Sequence, residues 1–445
     1  MKDVRAPIAE FVRQYGESGT VRMHMPGHKG VPLLGAEAYD ITEIRGADYL
    51  YEPAGIILRS SEIAAELYGS RRTLFSTEGS SLSIKAMLTC AAASLGRGAK
   101  FASARNCHRA FINGCILLGI DPVWIYPEKP AASICSSEIT AHDVEQTLAA
   151  DPDIRAVYIT SPDYPGNLAD IRGIAQVCHA RGALLLVDNA HGAYLKFAGQ
   201  LHPLDLGADM CCDSAHKTLP ALTGASLLHI SKSAPAQIAE IAPEEMSLFA
   251  STSPSYVIMQ SIERCMAELQ SGLAERIALL CQRLSELKQE IRALGLDTAG
   301  DEPMKLTLSP AGAGYTGDGL AEHLRSHGIE PEYSDGAYCV LMPTPCNTED
   351  DLIRVLDALK ALPKRTPITD PLPELIRPRK ALAPREAYFL PHERIPLSEA
   401  DGRICARTAV SCQPSVPVIV GGEVFDKKII KILERYSFFQ ADVVK

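Results

Sequence analysis

Leu184-Leu185-Leu186-Val187 is apolar at every position and stops at Asp188. A strand exposed on one face alternates apolar with polar residues. This run does not, so it belongs in a sheet covered on both faces. Ala156-Val157-Tyr158-Ile159-Thr160 and Met210-Cys211-Cys212 read the same way. Shorter candidates lie at 72–75, 100–102, 122–125 and 224–228, with helical patterns at 82–94, 144–150 and 171–181 between them. Strands alternating with helices predict an α/β fold with a mostly parallel sheet, and ligands of such sheets bind beyond the carboxyl ends of the strands.

The chemistry-bearing residues fall at those ends. A carboxylate that closes a buried run, as Asp188 does, costs on the order of several kcal/mol without a cationic partner. Ser214-Ala215-His216-Lys217-Thr218 follows the Cys-rich strand, so Lys217 is expected at the end of a buried strand. Desolvation there lowers a lysine pKa and makes the amine a Schiff-base nucleophile. An aspartate at one strand end and a lysine at a later one form the pattern of a pyridoxal phosphate (PLP) site, the aspartate facing the pyridinium. Thr77-Glu78-Gly79-Ser80-Ser81 joins a strand to a helix, and its backbone N–H groups and hydroxyls suit a phosphate; an ordinary serine N-cap is the alternative. Arg105-Asn106-Cys107-His108 lies between a strand and a helix, where a neutral imidazole can stack on a ring or shuttle a proton. Thr160-Ser161-Pro162 ends another strand, either as a plain turn or with hydroxyls reaching the ring oxygen.

Composition removes other classes. The chain has 445 residues, is 46% hydrophobic and 22% charged, and carries a net charge of −10, which disfavours a nucleic-acid binder. No run approaches the length of a membrane span and no signal-like stretch follows Met1, so a cytoplasmic protein is expected. The 13 cysteines sit in apolar segments with no Cys-x-x-Cys pair, as reduced thiols rather than disulfides or metal ligands. We expect no metal.

These segments together resemble the bacterial-type Orn/Lys/Arg decarboxylases, PLP enzymes of the aspartate aminotransferase fold (fold type I). The motifs that carry the resemblance run in order along most of the chain: His24-Met25-Pro26-Gly27-His28-Lys29-Gly30, Asp40 to Glu43, Leu67-Tyr68-Gly69, Gly79-Ser80-Ser81, Arg105 to His108, Thr160-Ser161-Pro162, Asp188-Asn189-Ala190-His191-Gly192, Ser214 to Thr218 and Ser251 to Tyr256. Val416-Pro417 to Gly422-Glu423 closes the series. The length resembles compact members without the extra N-terminal domain. The resemblance implies that Lys217 carries the cofactor, Asp188 holds the pyridinium, His108 stacks on the ring and Ala190 packs on its other face, with His191 nearby. It implies Ser80, Ser81, Ser214 and His216 at the phosphate, with Thr252 reaching the phosphate of a neighbouring subunit in an obligatory homodimer. Four departures stand out, one of them the aromatic or histidine pattern usual after Ala-His, which here ends in Tyr194. Asn189 replaces the family's usual Glu and Glu78 its usual Asn, and Cys412-Gln413-Pro414-Ser415-Val416-Pro417 stands where Tyr-Pro-Pro-Gly-Ile-Pro is usual.

The implied reaction is decarboxylation of arginine, lysine or ornithine to the amine and CO2. An aminotransferase or lyase on the same scaffold, or a catalytically weakened PLP-binding regulator, are the alternatives. Glu423 is a candidate for the substrate's distal cation, and no nucleic-acid or membrane partner is expected. The expected organisation is an irregular N-terminal segment (1–50), a large PLP-binding domain (51–300), a small α+β domain (301–363), a linker (364–385) and a C-terminal domain (386–445). A long helical stretch is expected over 255–296.

Overall fold

The computed structural model describes residues 6–96, 98–128, 136–369, 376–408 and 416–445. Seven strands form the main sheet: β1 (Arg72–Ser76), β2 (Lys100–Ala104), β3 (Val123–Ile125), β4 (Ile154–Thr160), β5 (Leu184–Asp188), β6 (Met210–Asp213) and β7 (Ser226–Ile230). Their order is β1-β7-β6-β5-β4-β2-β3. β5 runs parallel to β6 and β2 parallel to both neighbours, whereas β7 is antiparallel to β1 and β6. Every residue of β5, β6 and β7 is buried, as an unbroken apolar run demands.

The described chain divides into two compact units. The first comprises Met1–Arg97, Leu186–Arg283 and Pro343–Thr348; the second comprises Gly98–Leu185, Leu284–Met342 and Glu349–Lys445.

In the first unit the helix Ser80–Leu95 is lined by Leu82, Ile84, Met87, Leu88 and Cys90, all buried. The N-terminal residues are not wholly irregular as expected, because Pro7–Glu17 forms a helix with Pro7 at its first turn. It buries Ile8, Ala9 and Val12, and the Glu263 carboxylate accepts from the N–H groups of Ile8 (2.9 Å) and Ala9 (2.8 Å). Those two donors have no partner within their own helix. The expected long helix also departs from a single rod. Tyr256–Glu268 is followed by a wider turn, Leu269–Leu273, before Ala274–Ala293. Gly272 there takes φ +124°, a value other residues rarely adopt.

In the second unit a four-stranded antiparallel sheet contains β8 (Asp297–Ala299), β9 (Leu306–Ser309), β10 (Tyr333–Ser334) and β11 (Cys339–Leu341), in the order β10-β11-β9-β8. Glu349–Lys360 follows as a helix that opens on three acidic residues and ends on Lys360, the polarity the helix dipole favours. Towards the C-terminus, β12 (His392–Pro396) pairs antiparallel with β13 (Gln440–Val444). The helix Lys427–Arg435 buries Ile429, Ile430, Ile432 and Leu433 into a cluster with Leu397, Val418, Phe425 and Val443. Among the described residues no helix is long and apolar enough to cross a membrane, and the cysteines are thiols, nearly all buried.

Asp48 organises the entry to the first unit. It adopts φ +74°, and its carboxylate accepts from the N–H groups of Tyr49, Ala54, Gly55, Ile57 and Leu58, covering the start of the helix Ile56–Tyr68. Burial acts to raise its pKa, but the donors at Ala54, Gly55 and Tyr49 prevail and hold it below the usual carboxylate value. Asp48→Asn keeps a residue tolerant of positive φ but points an amide N–H2 at backbone donors. It should cost about 1–2 kcal/mol at neutral pH. The folded carboxyl is the stronger acid, so the wild-type advantage should be full above about pH 4, the unfolded value, and fade as pH falls through the lower folded value. Urea unfolding of both proteins from pH 7 to pH 3 checks this; a gap that stays constant with pH would contradict the account.

Candidate active site

In the first unit three strand ends deliver the polar groups. β1 leads into Thr77-Glu78-Gly79, where Gly79 takes φ +71° and the helix Ser80–Leu95 begins at once. Leu82 N donates back to Gly79 O (3.2 Å), and the N–H groups of Ser80 and Ser81, which have no i−4 acceptor in the helix, are the ones that suit an anion. Ser80 is buried and Ser81 exposed. The Ser76 hydroxyl donates to Gly79 O (3.1 Å), and Gly79 N donates to Gly224 O (2.8 Å). Gly224 takes φ +96°, and a Cβ placed on it would lie 2.9 Å from Thr77 O. This backbone approach is open to glycine alone.

β5 ends at Asp188, which is 2% exposed. Its Oδ1 accepts from Ala190 N (3.2 Å) and from the Cys212 thiol (3.6 Å). Asp188 stands opposite Cys212 of β6, so the two strand ends are in register. Ala190 and His191 are buried directly after it.

β6 continues through Ser214 into a single helical turn, Ala215–Thr218, that carries His216 and Lys217. Lys217 Nζ lies 3.0 Å from His191 Nε2. The His216 Nδ1 donates to Ala225 O (2.8 Å), and burial holds its pKa below the usual histidine value. The neutral ring therefore offers Nε2. The Ser214 hydroxyl is fully buried and has no hydrogen-bond partner among the described residues. A buried hydroxyl without a partner is costly, and a phosphate oxygen is a partner it can take. The residues present fit PLP on that ground. Thr252 is exposed, beside Ser251, whose N–H donates to Glu78 Oε1 (2.7 Å).

His108 belongs to the second unit. It caps the helix Arg109–Leu118, its Nδ1 accepting from Ala110 N (3.1 Å), which places the ring proton on Nε2. Glu423, the candidate for a substrate cation, is committed elsewhere. Both its oxygens receive the Arg105 guanidinium, at 2.6 and 2.7 Å, and one also accepts from Val420 N (2.7 Å). Arg105 is 3% and Glu423 2% exposed, so this is a buried, bidentate structural pair rather than an open binding group. The altered segment Cys412-Gln413-Pro414-Ser415 lies outside the described residues.

The cluster that sequence reasoning missed surrounds Asp213, the last residue of β6. Asp213 is fully buried and accepts from Asn189 Nδ2 (2.7 Å), His202 Nε2 (3.0 Å) and His229 Nε2 (3.2 Å). Burial acts to raise its pKa, but the two histidines prevail and hold it well below the usual carboxylate value. The argument applied to Asp188, a carboxylate closing an apolar strand, applied equally to Asp213. Ligand atoms of His202, Cys211 and Asp213 lie within 4.8 Å of one another. The hydrogen bonds account for both Asp213 oxygens, and burial drives the Cys211 thiol pKa far up.

The Orn/Lys/Arg decarboxylase major-domain model matches residues 6–300. The arginine decarboxylase of Halalkalibacterium halodurans is 30% identical, covering 94% of this chain and 91% of that protein. The arginine decarboxylase of Bacillus subtilis is 28% identical, with 97% and 94% covered. In structure, the lysine decarboxylase LdcF of Francisella novicida superposes with a TM-score of 0.82 at 18% identity, over 100% of this chain and 82% of that one. The fold is therefore that of the PLP-dependent enzymes of fold type I, a mostly parallel sheet with smaller α+β elements. Within that class the chain belongs to the Orn/Lys/Arg decarboxylase family, and it is an amino-acid decarboxylase.

Removing the acceptor at the centre of the buried cluster should be costly. Asp213→Asn leaves two buried imidazole N–H groups facing an amide, and the unfolding free energy should drop by about 3 kcal/mol or more. Asn189→Ala removes only one donor and should cost roughly half that. Denaturant unfolding of the two variants checks the ranking, and the reverse order would refute the central place given to Asp213.

Proposed function

We propose that the protein decarboxylates a basic amino acid, with arginine the first candidate, followed by lysine and ornithine. The relatives matched along nearly the whole chain are named arginine decarboxylases, which supports arginine over the others. The observation that carries the chemistry is Lys217 Nζ at 3.0 Å from His191 Nε2, on a turn next to the strand end that presents Asp188.

When bound, PLP supplies an electron sink for the pair left behind as the Cα–carboxylate bond breaks. The chain's own residues prepare and complete that step. His191 would take a proton from the Lys217 ammonium, leaving a free amine with which Lys217 would hold the cofactor. Asp188 would hold a proton on the ring nitrogen. Ser80, Ser81, Ser214 and His216 would hold the phosphate end, and His108 and Ala190 would hold the ring. Lys217 or a neighbouring histidine would deliver to Cα the proton that replaces the lost carboxylate. Thr252 would reach the phosphate of the cofactor in a second copy, which would make a homodimer the active form; a cytoplasmic location belongs to the same proposal. The division at 1–50, 51–300, 301–363, 364–385 and 386–445 belongs to the same reading.

CO2 release from arginine, lysine and ornithine in parallel tests it. Lys217→Ala should abolish turnover, and His191→Gln should lower kcat about a hundredfold with KM little changed. Undiminished turnover in Lys217→Ala would sink the proposal; release from neutral amino acids alone would overturn the substrate class.

A further inference from the structure

Ser251, Thr252 and Ser253 are all exposed, yet the turn they form in the first unit is held at both ends. On its C-terminal side Pro254 is buried, and the Ser255 hydroxyl accepts from Ile258 N (3.4 Å) to cap the helix Tyr256–Glu268. The buried Tyr256 hydroxyl lies within hydrogen-bond reach of Ala47 O (2.9 Å) and Asp48 O (2.6 Å). Within the turn, Ser253 N donates to Ser251 Oγ (3.2 Å). On its N-terminal side, Ser251 N donates to Glu78 Oε1 (2.7 Å). The Thr252 hydroxyl is left outside this frame, with no hydrogen-bond partner among the described residues.

Glu78 is itself fixed through its backbone. Its N–H donates to Ser76 Oγ (3.2 Å), and the Ser76 hydroxyl donates on to Gly79 O (3.1 Å), within the turn that leads into Ser80 and Ser81. A carboxylate at that place is electrostatically odd. Beside donors that suit a phosphate it is a like charge, and left free it would weaken anion binding. The asparagine usual in the family is neutral and one methylene shorter. Glu78 instead commits one oxygen to a backbone N–H, a charge-assisted bond roughly twice as strong as a neutral one. That bond joins the strand-to-helix turn to a second turn 173 residues later in the sequence.

We propose that Glu78 is a positioning residue, which holds the turn at Ser251–Ser253 so that the Thr252 hydroxyl is presented, already oriented, to the cofactor phosphate of a second copy. This rests on the reading that Thr252 serves a neighbouring phosphate, and it adds what sets the position of that hydroxyl. Glu78 acts through Ser251 N and not on the phosphate itself. A turn fixed beforehand loses less conformational freedom when it meets its ligand, and that is where the gain in affinity arises.

Titration of the full-length protein, stripped of cofactor, with PLP tests this, alongside hydrogen exchange of the segment around Ser251. Glu78→Ala should weaken PLP binding about tenfold and speed exchange at the Ser251 amide. Glu78→Gln keeps the length and an acceptor oxygen, so its affinity should stay within about threefold of wild type. Thr252→Ala should also weaken binding, and adding Glu78→Ala to it should change affinity little further, because the two residues act through one contact. Tighter binding in both Glu78 variants would show a charge that only repels the phosphate, and would overturn the proposal. Unchanged affinity or exchange in Glu78→Ala, or full additivity in the double variant, would overturn it too while leaving the role of Thr252 standing. Unchanged affinity in Thr252→Ala is a separate result, which would remove that role and this proposal together.

Discussion

The first unit depends on one electrostatic constraint, two carboxylates closing adjacent buried strands. Asp188 ends β5 and Asp213 ends β6, and neither is more than 2% exposed. A buried carboxylate persists only where donors replace its water. Asp213 obtains three side-chain donors, from Asn189, His202 and His229, drawn from segments well apart in sequence. Tyr68 packs its ring against both histidines, at centroid distances of 5.3 and 4.4 Å, and donates its hydroxyl to Ala193 O. That arrangement fixes the segment just after Asp188, where Ala190 and His191 follow, and so sets the position of the histidine that faces Lys217.

The same economy appears around Gly224 and Ala225. Gly224 O accepts the N–H that shapes the Gly79 turn, and Ala225 O accepts both the backbone N–H and the ring N–H of His216. Two residues thus tie the start of the helix Ser80–Leu95 to the turn bearing Lys217. Their geometry is transmitted through backbone, which loses far less precision than long side chains would. The contact admits no Cβ at Gly224.

What could be read from the chain follows how local each cause is. Unbroken apolar runs place β5 and β6, and a polar residue closing such a run marks a strand end, so Asp188 and Lys217 stand out. The N-terminal helix does not, because Glu263, more than two hundred residues away, supplies the acceptor its first N–H groups lack. The break at Leu269–Leu273 was signalled only by Gly272, and an isolated glycine is weak evidence against a helical pattern. Glu423 was misread for a related reason. Its charge was visible in sequence, but its partner Arg105 is more than three hundred residues upstream, and only the fold shows that the pair is closed.

The departure at position 189 now has a physical reason. Asn189 donates its amide to Asp213 Oδ1 at 2.7 Å in a fully buried setting. The glutamate usual in the family would place a second carboxylate against the first. Two carboxylates in such contact cannot both stay ionised without a large rise in one pKa. The amide removes that conflict and adds a donor in the same space. Asparagine at 189 and aspartate at 213 therefore form one unit, and the neutral member is the one next to Asp188. A single negative charge then remains on that strand end, where we propose that Asp188 faces a protonated ring nitrogen.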